Sequence, residues 1–246
     1  MSRKIVLSGA VLLALSCGVA SAQQAEHANF TCEASLSIGA DKKIAALTFV
    51  NRKATNDLVC KRLETVVRSW TFEPGSVNGQ PMATETTLHV ELEASKSADG
   101  GYAIKLLDAF TGPSILRVFP PDYPRQEMMV GAEAKVTLLL SIDATGAPID
   151  ISVASVITNG SSASKANFAQ PTIDAAKHWR FQPETVGGHP VASHVHVPTT
   201  FCLDASSQCP SIAKQIAAES GATPANVPVA LDSKVKLVTQ VAGTTF

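Results

Sequence analysis

The alternation of apolar and polar positions predicts one arrangement built twice. In the second half, AKVTLLLSID (134–143) is rich in β-branched residues and reads as a strand. DATGAP is a turn and IDISVASVI (149–157) alternates as a second strand, so the pair predicts a hairpin. NGSSASK (159–165) reads as a flexible loop. NFAQPTIDAAKHW (167–179) places Phe168, Thr172, Ile173, Ala176 and Trp179 near a period of three to four, which predicts a helix. Pro171 is compatible with that helix only in its first turn. RFQPETV then reads as a strand, GGHP as a tight turn and VASHVHVPTTF (191–201) as the closing strand.

The first half repeats the order. ASLSI (34–38) and IAALTFV (44–50) flank the turn GADKK. DLVCKRLETVVRSW (57–70) carries an apolar stripe of Val59, Leu63, Val66, Val67 and Trp70. TETTLHVELEA (84–94) closes the unit, and SADGG leads to YAIKLLDAF as one added strand. The pattern predicts an α+β protein of two small units. Each runs β-β-α-β-β, with one helix on an antiparallel sheet. Four segments follow: 1–22 as a leader, 23–110 and 111–203 as the two units divided near FTGPS (110–114), and 204–246 as an Ala/Pro/Thr-rich tail. Within that tail DSKVKLVTQVAG reads as a last strand.

Direct comparison of the halves supports the repeat. WTFEPGSVNGQPMA (70–83) and WRFQPETVGGHPVA (179–192) agree at seven of fourteen positions: Trp70/Trp179, Phe72/Phe181, Pro74/Pro183, Val77/Val186, Gly79/Gly188, Pro81/Pro190 and Ala83/Ala192. Leu36-Ser37-Ile38 echoes Leu140-Ser141-Ile142 at an offset of 104 instead of 109, so five residues are inserted between. A loop absorbs such an insertion cheaply, and NGSSASK is the natural place. Trp and Phe two apart predict one buried face against the helix, proline stops the pairing, and Gly79 and Gly188 let the chain reverse. The motif therefore reads as core and turn.

Composition narrows the function classes. The 246 residues carry a formal net charge of −1 and 45% hydrophobic residues, which gives folded cores and no basic face for nucleic acid. MSRK, the apolar run IVLSGAVLLAL and Ala20-Ser21-Ala22 read as a cleaved secretory signal, which places the mature chain in the periplasm. A lipid-bearing Cys17 is the weaker alternative, because Ala14-Leu15-Ser16 lacks leucine three places before the cysteine. No later apolar run is long enough for a transmembrane anchor. Four cysteines remain past the leader, an even number that suits disulfides in an exported protein. Cys202 and Cys209 enclose a short polar loop and pair most simply, which leaves Cys32 with Cys60 and a stabilisation of about 3 kcal/mol. A four-cysteine metal site is disfavoured by the lack of any C-x-x-C pair.

Candidate chemistry is sparse. His194 and His196 share a strand face, with His189 in the turn and His178 at the helix end. A metal site needs three or four such ligands converging, whereas solvent-facing strand histidines need nothing. The sequence contains no G-x-S-x-G, H-E-x-x-H, Walker or Rossmann pattern. Asp143 and Asp150 read as turn residues. No cofactor and no catalytic set is expected.

Several of these residues together resemble a known family. Pro121-Asp122-Tyr123-Pro124, then Gly131, a strand ending in Asp143-x-x-Gly146, a helix, Trp179-Arg180-Phe181-Gln182-Pro183, Gly188-x-Pro190 and a strand ending VPTTF resemble the TonB carboxy-terminal domain over about 115–202. The first unit resembles a degenerate copy. It has Trp70, Phe72, Pro74, Gly79 and Pro81 and no counterpart of Tyr123-Pro124. Ala134 stands where many members have glycine. The resemblance implies a periplasmic protein-binding module. Its partner would be a short extended segment, the TonB box, of an outer-membrane transporter in energy-coupled transport. Capture would be by strand addition at a sheet edge. The edge expected here is the closing strand, with Val195, Val197, Thr199 and Phe201 on one face. Two further readings are a structural envelope protein whose edges are blocked by the added strand or the tail, and a carrier of metal on its histidines.

Overall fold

A computed structural model describes residues 27–50, 57–97, 101–203, 209, 211–219 and 227–246. The expected signal sequence and Cys17 lie outside the described residues. The first half opens with two antiparallel strands, β1 (His27–Ile38) and β2 (Ile44–Val50), followed by helix α1 (Asp57–Val67). Three two-residue strands come next: β3 (Phe72–Glu73), β4 (Ser76–Val77) and β5 (Gln80–Pro81). Two long strands, β6 (Thr84–Lys96) and β7 (Tyr102–Gly112), complete it. The second half starts with β8 (Ser114–Arg117) and a short helix, α2 (Arg125–Met129). Strands β9 (Ala134–Ile142) and β10 (Pro148–Thr158) then lead into helix α3 (Ser162–Ala176). Short strands β11 (Arg180–Gln182), β12 (Thr185–Val186) and β13 (His189–Pro190) precede the closing strand β14 (Ser193–Phe201). Helix α4 (Ala213–Glu219) and strands β15 (Val229–Ala230) and β16 (Lys236–Leu237) end the chain.

The two main sheets share one order. In the first, β2-β1-β6-β7 are neighbours; in the second, β10-β9-β14-β15. All pairings are antiparallel, and each sheet buries one face under one helix. The first core gathers Leu36, Leu63, Val67, Trp70, Phe72 and Leu92; the second gathers Leu138, Leu140, Phe168, Trp179, Phe181 and Val195. The chain passes between sheets at Pro113, between β7 and β8. Disulfides join Cys32 to Cys60, tying β1 to α1, and Cys202 to Cys209.

Local differences from expectation have identifiable causes. Each expected strand after the helix is broken, because Pro74 and Pro183 cannot donate to a ladder. The helix expected over 167–179 is α3 at 162–176, so most of NGSSASK is helical and Pro171 lies well inside it. The missing Pro171 N–H costs one intrahelical bond, and the adjacent Thr172 hydroxyl donates to the Phe168 carbonyl at 2.8 Å. Both Gly-Xaa-Pro turns reverse through two residues with positive φ, Asn78 (51°) and Gly79 (78°), then Gly187 (60°) and Gly188 (79°). Positive φ at both central positions defines a type I′ hairpin turn, whose twist matches the strands. Gly146 has φ 80°, and a Cβ there would stand 1.9 Å from the Phe181 carbonyl oxygen. It is the point where the β9–β10 turn docks on β11, with the Phe181 N–H donating to the Gly146 carbonyl at 2.9 Å.

Candidate functional site

Strand β14 is the element on which the site is built. Its inner edge pairs with β9 along its whole length, Ser193 with Ile142 through Phe201 with Ala134. Val195, Val197 and Phe201 turn into the second core and are almost fully buried, and Thr199 is half-buried. The four residues expected to mark the edge therefore share one face, and that face is the one packed under α3. What β14 presents along its outer edge is therefore its backbone groups.

The outer edge divides in two. At its start, the segment following the disulfide loop returns to pair with it: Val195 with Ala230 and His196 with Val229. The Leu231 N–H donates to the His194 carbonyl at 2.8 Å. Asp232 completes the contact, accepting from the His194 N–H at 2.8 Å and lying 3.1 Å from its Nδ1. Burial pushes the Asp232 carboxyl up, but the two His194 contacts and nearby Lys234 outweigh it and hold the pKa below the usual value. Past His196 no strand among the described residues pairs with the outer edge. A groove of about 300 Å³ lies there, lined by Val197–Cys202 on one side and by Ile115, Val118, Pro120, Pro121 and Trp179 on the other.

The proline-set lead-in holds the far wall. The Trp179 indole N–H donates to the Phe119 carbonyl at 2.8 Å, and the Tyr123 hydroxyl to the Ala132 carbonyl at 2.6 Å. Tyr123 also sets its ring edge-on to Phe168 and Phe201. Burial raises its pKa, as do Glu133 and Glu127 nearby. Tyr123 and Trp179 therefore line the groove, Pro124 precedes α2, Phe181 lies in the second core and Pro183 separates β11 from β12, while Gly188 and Pro190 sit in the small hairpin at the other end of β14.

That hairpin joins the halves. β12 pairs with β6, Thr185 opposite Glu85 and Val186 opposite Thr84, and so extends the first sheet. Glu184 beside it is almost fully buried. It accepts from the Thr86 hydroxyl (2.7 Å), the Ser233 hydroxyl (2.8 Å) and the Lys234 N–H (2.9 Å). Three segments far apart in sequence thus meet on one carboxylate. The carboxy-terminal segment then runs on across the first half, where β16 pairs with β3 and Val235 and Val241 are buried in the first core. Within the first half, Glu91 faces Asp108 across the β6–β7 pair. Burial, then Asp108, push its pKa up to about 7 against the opposing pull of Lys135 on β9.

The sequence reading placed the closing strand, and β16 falls within the last strand expected over DSKVKLVTQVAG, but β15, the junction at Glu184 and the groove went unread. The histidines do not come together. His194 is engaged by Asp232, His178 lies edge-on to Phe119, and among the described residues no three His, Cys, Asp or Glu side chains are placed to hold a metal. No helix among them is long and apolar enough to cross a membrane.

The second half thus belongs to a class of small α+β domains that hold one long closing strand beside a groove. Residues 120–203 match the family model of the Gram-negative bacterial TonB protein C-terminal, and this part of the chain belongs to the TonB carboxy-terminal family. It is 32% identical over 85 residues to Protein TonB of Xanthomonas campestris pv. campestris, covering 35% of either chain. It is 34% identical over 84 residues to Protein TonB of Vibrio cholerae serotype O1, covering 34% of this chain and 32% of that one. The match spans about a third of the length of these relatives. Among solved structures it is similar to the Pseudomonas aeruginosa TonB CTD determined by solution NMR, at 30% identity over 36% of this chain and 82% of that one, with a TM-score of 0.27.

Proposed function

We propose that the protein is a periplasmic, non-enzymatic binding module whose second half captures an extended segment of a partner protein along β14. The partner would be the TonB box of an outer-membrane transporter, in a TonB-like role in energy-coupled transport. One observation carries this reading: past His196 the outer edge of β14 borders a groove lined by Val118, Pro120, Pro121 and Trp179. Strand addition takes affinity from backbone pairing and selectivity from such a side pocket. Pro198 agrees with an edge position, since proline in a strand is confined to edges and bulges.

The first half is, in this reading, a degenerate copy that no longer binds. Its shared sheet order and hairpin turn support a common origin. Its equivalent edge, on β6, is closed by β7 over ten residue positions from Thr87 to Lys96. The structural-envelope reading draws on the same closure and on the tail strand at β14.

The test is recovery of partners from outer-membrane and periplasmic extract on the immobilised mature chain, beside Val118→Asp. Val118 is 45% exposed, so the substitution charges the groove and leaves the core alone. The expected result is a TonB-dependent transporter retained by the wild type and lost with Val118→Asp. An identical set of proteins on both, or no transporter on either, would refute capture at this groove and favour the structural reading.

A further inference from the structure

We infer that residues 227–235 form a displaceable strand that guards the β14 edge, and that its displacement by a partner strand loosens the latch between the halves. The inference rests on strand capture at β14. It concerns what a partner must do to gain the edge.

The first support is the direction of the backbone groups. In an antiparallel strand, residues alternate in which side their N–H and C=O face. The bond from Leu231 N–H to the His194 carbonyl turns His194 outward, and therefore His196 and Pro198 as well. The His194 N–H is engaged by Asp232, His196 is in register with Val229, and Pro198 has no N–H to offer. The first two outward donors of the edge thus lie under the tail, and the third position has none. A partner strand that stays beside the groove alone loses them. To gain a ladder it must take the place of residues 229–232.

The second support is the size of the guard. At the equivalent edge of the first half, β7 is an eleven-residue strand, whereas β15 has two residues. Leu231 is 53% exposed, so little apolar surface holds the guard down.

The third support is continuity. Directly after Asp232, Ser233 and Lys234 donate to Glu184, and Val235 is buried in the first core. Lifting residues 229–232 draws on the same few residues that hold the latch. Ala230 also lies against Gly112 at the end of β7, where an added Cβ would come within 2.7 Å of the Ala230 Cβ. The strand that replaces the guard therefore needs a small residue at the position of Ala230. It gains from a carboxylate at the position of Asp232.

The probe is a labelled synthetic peptide reproducing residues 226–234, NVPVALDSK, titrated with the full mature chain and read by fluorescence anisotropy. Leu231→Pro/Asp232→Ala removes the contacts that Leu231 and Asp232 make with His194 on β14 and leaves Val235 and Val241 in place. If the guard leaves the edge open about a tenth of the time, its removal tightens the apparent Kd about tenfold. Ser233→Ala, which weakens the latch without touching β14, should tighten it a few-fold. A peptide with tryptophan at the Ala230 position should not bind either variant. Circular dichroism and urea midpoints show that each variant is folded; should the double variant unfold, Asp232→Asn alone carries the same comparison with a smaller gain. Equal affinity for wild type and double variant would overturn the guard while strand capture stands. No binding by either would overturn strand capture and the guard with it. A gain in the double variant with none in Ser233→Ala would overturn the link to the latch.

Discussion

Removing the Glu184 carboxylate tests how the two halves are held. Three donors converge on it, but they are not equally dependent. The Thr86 hydroxyl has the Gly112 carbonyl at 3.3 Å as a second acceptor, and the Ser233 hydroxyl has the Val235 carbonyl at 3.0 Å. Only the Lys234 N–H, at 2.9 Å from Glu184, is left without an acceptor in Glu184→Ala. A stranded backbone donor costs about 1–3 kcal/mol, and the one buried methylene lost from the site adds about 0.8 kcal/mol, for a total of about 2–4 kcal/mol. Glu184→Gln should behave differently. Its carbonyl can accept from Lys234 while its amide faces two hydroxyls free to rotate, so only charge assistance is lost, about 1 kcal/mol. Urea unfolding followed by tryptophan fluorescence measures both, because Trp70 reports on the first core and Trp179 on the second. In Glu184→Ala the transition seen by Trp70 (in a Trp179→Phe background) should move furthest, since the tail segment belongs to the first core. A cost below about 1 kcal/mol for Glu184→Ala, or equal costs for alanine and glutamine, would refute the assignment of the latch to this hydrogen-bonded carboxylate.

Three further perturbations follow from single features. Glu91, with a pKa of about 7 in the folded chain against an ordinary value of 4.5, holds its proton in the folded state across that interval; its contribution to stability is full below pH 4.5 and is lost as pH rises through 7. Glu91→Gln should therefore be stabilising by about 1–2 kcal/mol at pH 8, after discounting for screening at a half-exposed site, and nearly neutral at pH 4.5; a flat difference across that range by urea titration would contradict this. Replacing Cys32 and Cys60 by alanine opens a loop with a sequence separation of 28 and should cost about 3–4 kcal/mol by thermal unfolding, against about 2 kcal/mol for the Cys202–Cys209 pair. Gly146→Ala should cost at least about 2 kcal/mol, from left-handed backbone and a clash with the Phe181 carbonyl, whereas Gly131→Ala, at φ 70° in open space, should cost about 1 kcal/mol; equal losses would show that the contact with β11 is not what demands glycine.

What the sequence determined by itself is the set of features that local chemistry imposes. Alternation placed β9 and β14 within a residue or two of their observed ends, because one face of each is buried and a period of two leaves little freedom; β10, mostly exposed, follows from its hairpin with β9. The repeated Trp-x-Phe-x-Pro and Gly-x-Pro segments announced two buried aromatic pairs and two identical turns, since a type I′ turn tolerates few residues. Tyr123-Pro124 and the spacing that follows carried the family resemblance. Tertiary structure decided the rest. Pro171 stands inside α3 although proline alone argues for a first turn, because the buried face of Phe168, Thr172 and Ala176 outweighs one missing bond. Glu184 falls in the sequence within RFQPETV, a segment read only as a strand, and is a buried junction in the fold. The sequence offers DSKVKLVTQVAG as a last strand without a partner, yet the segment from Val227 onward covers half of an edge, contributes Val235 and Val241 to the first core, and places Thr239 on Thr71, 168 residues away. Periodicity reports only what a segment does with its own faces. Which segment closes an open strand edge depends on donors and acceptors brought together by the fold, and no local pattern records that.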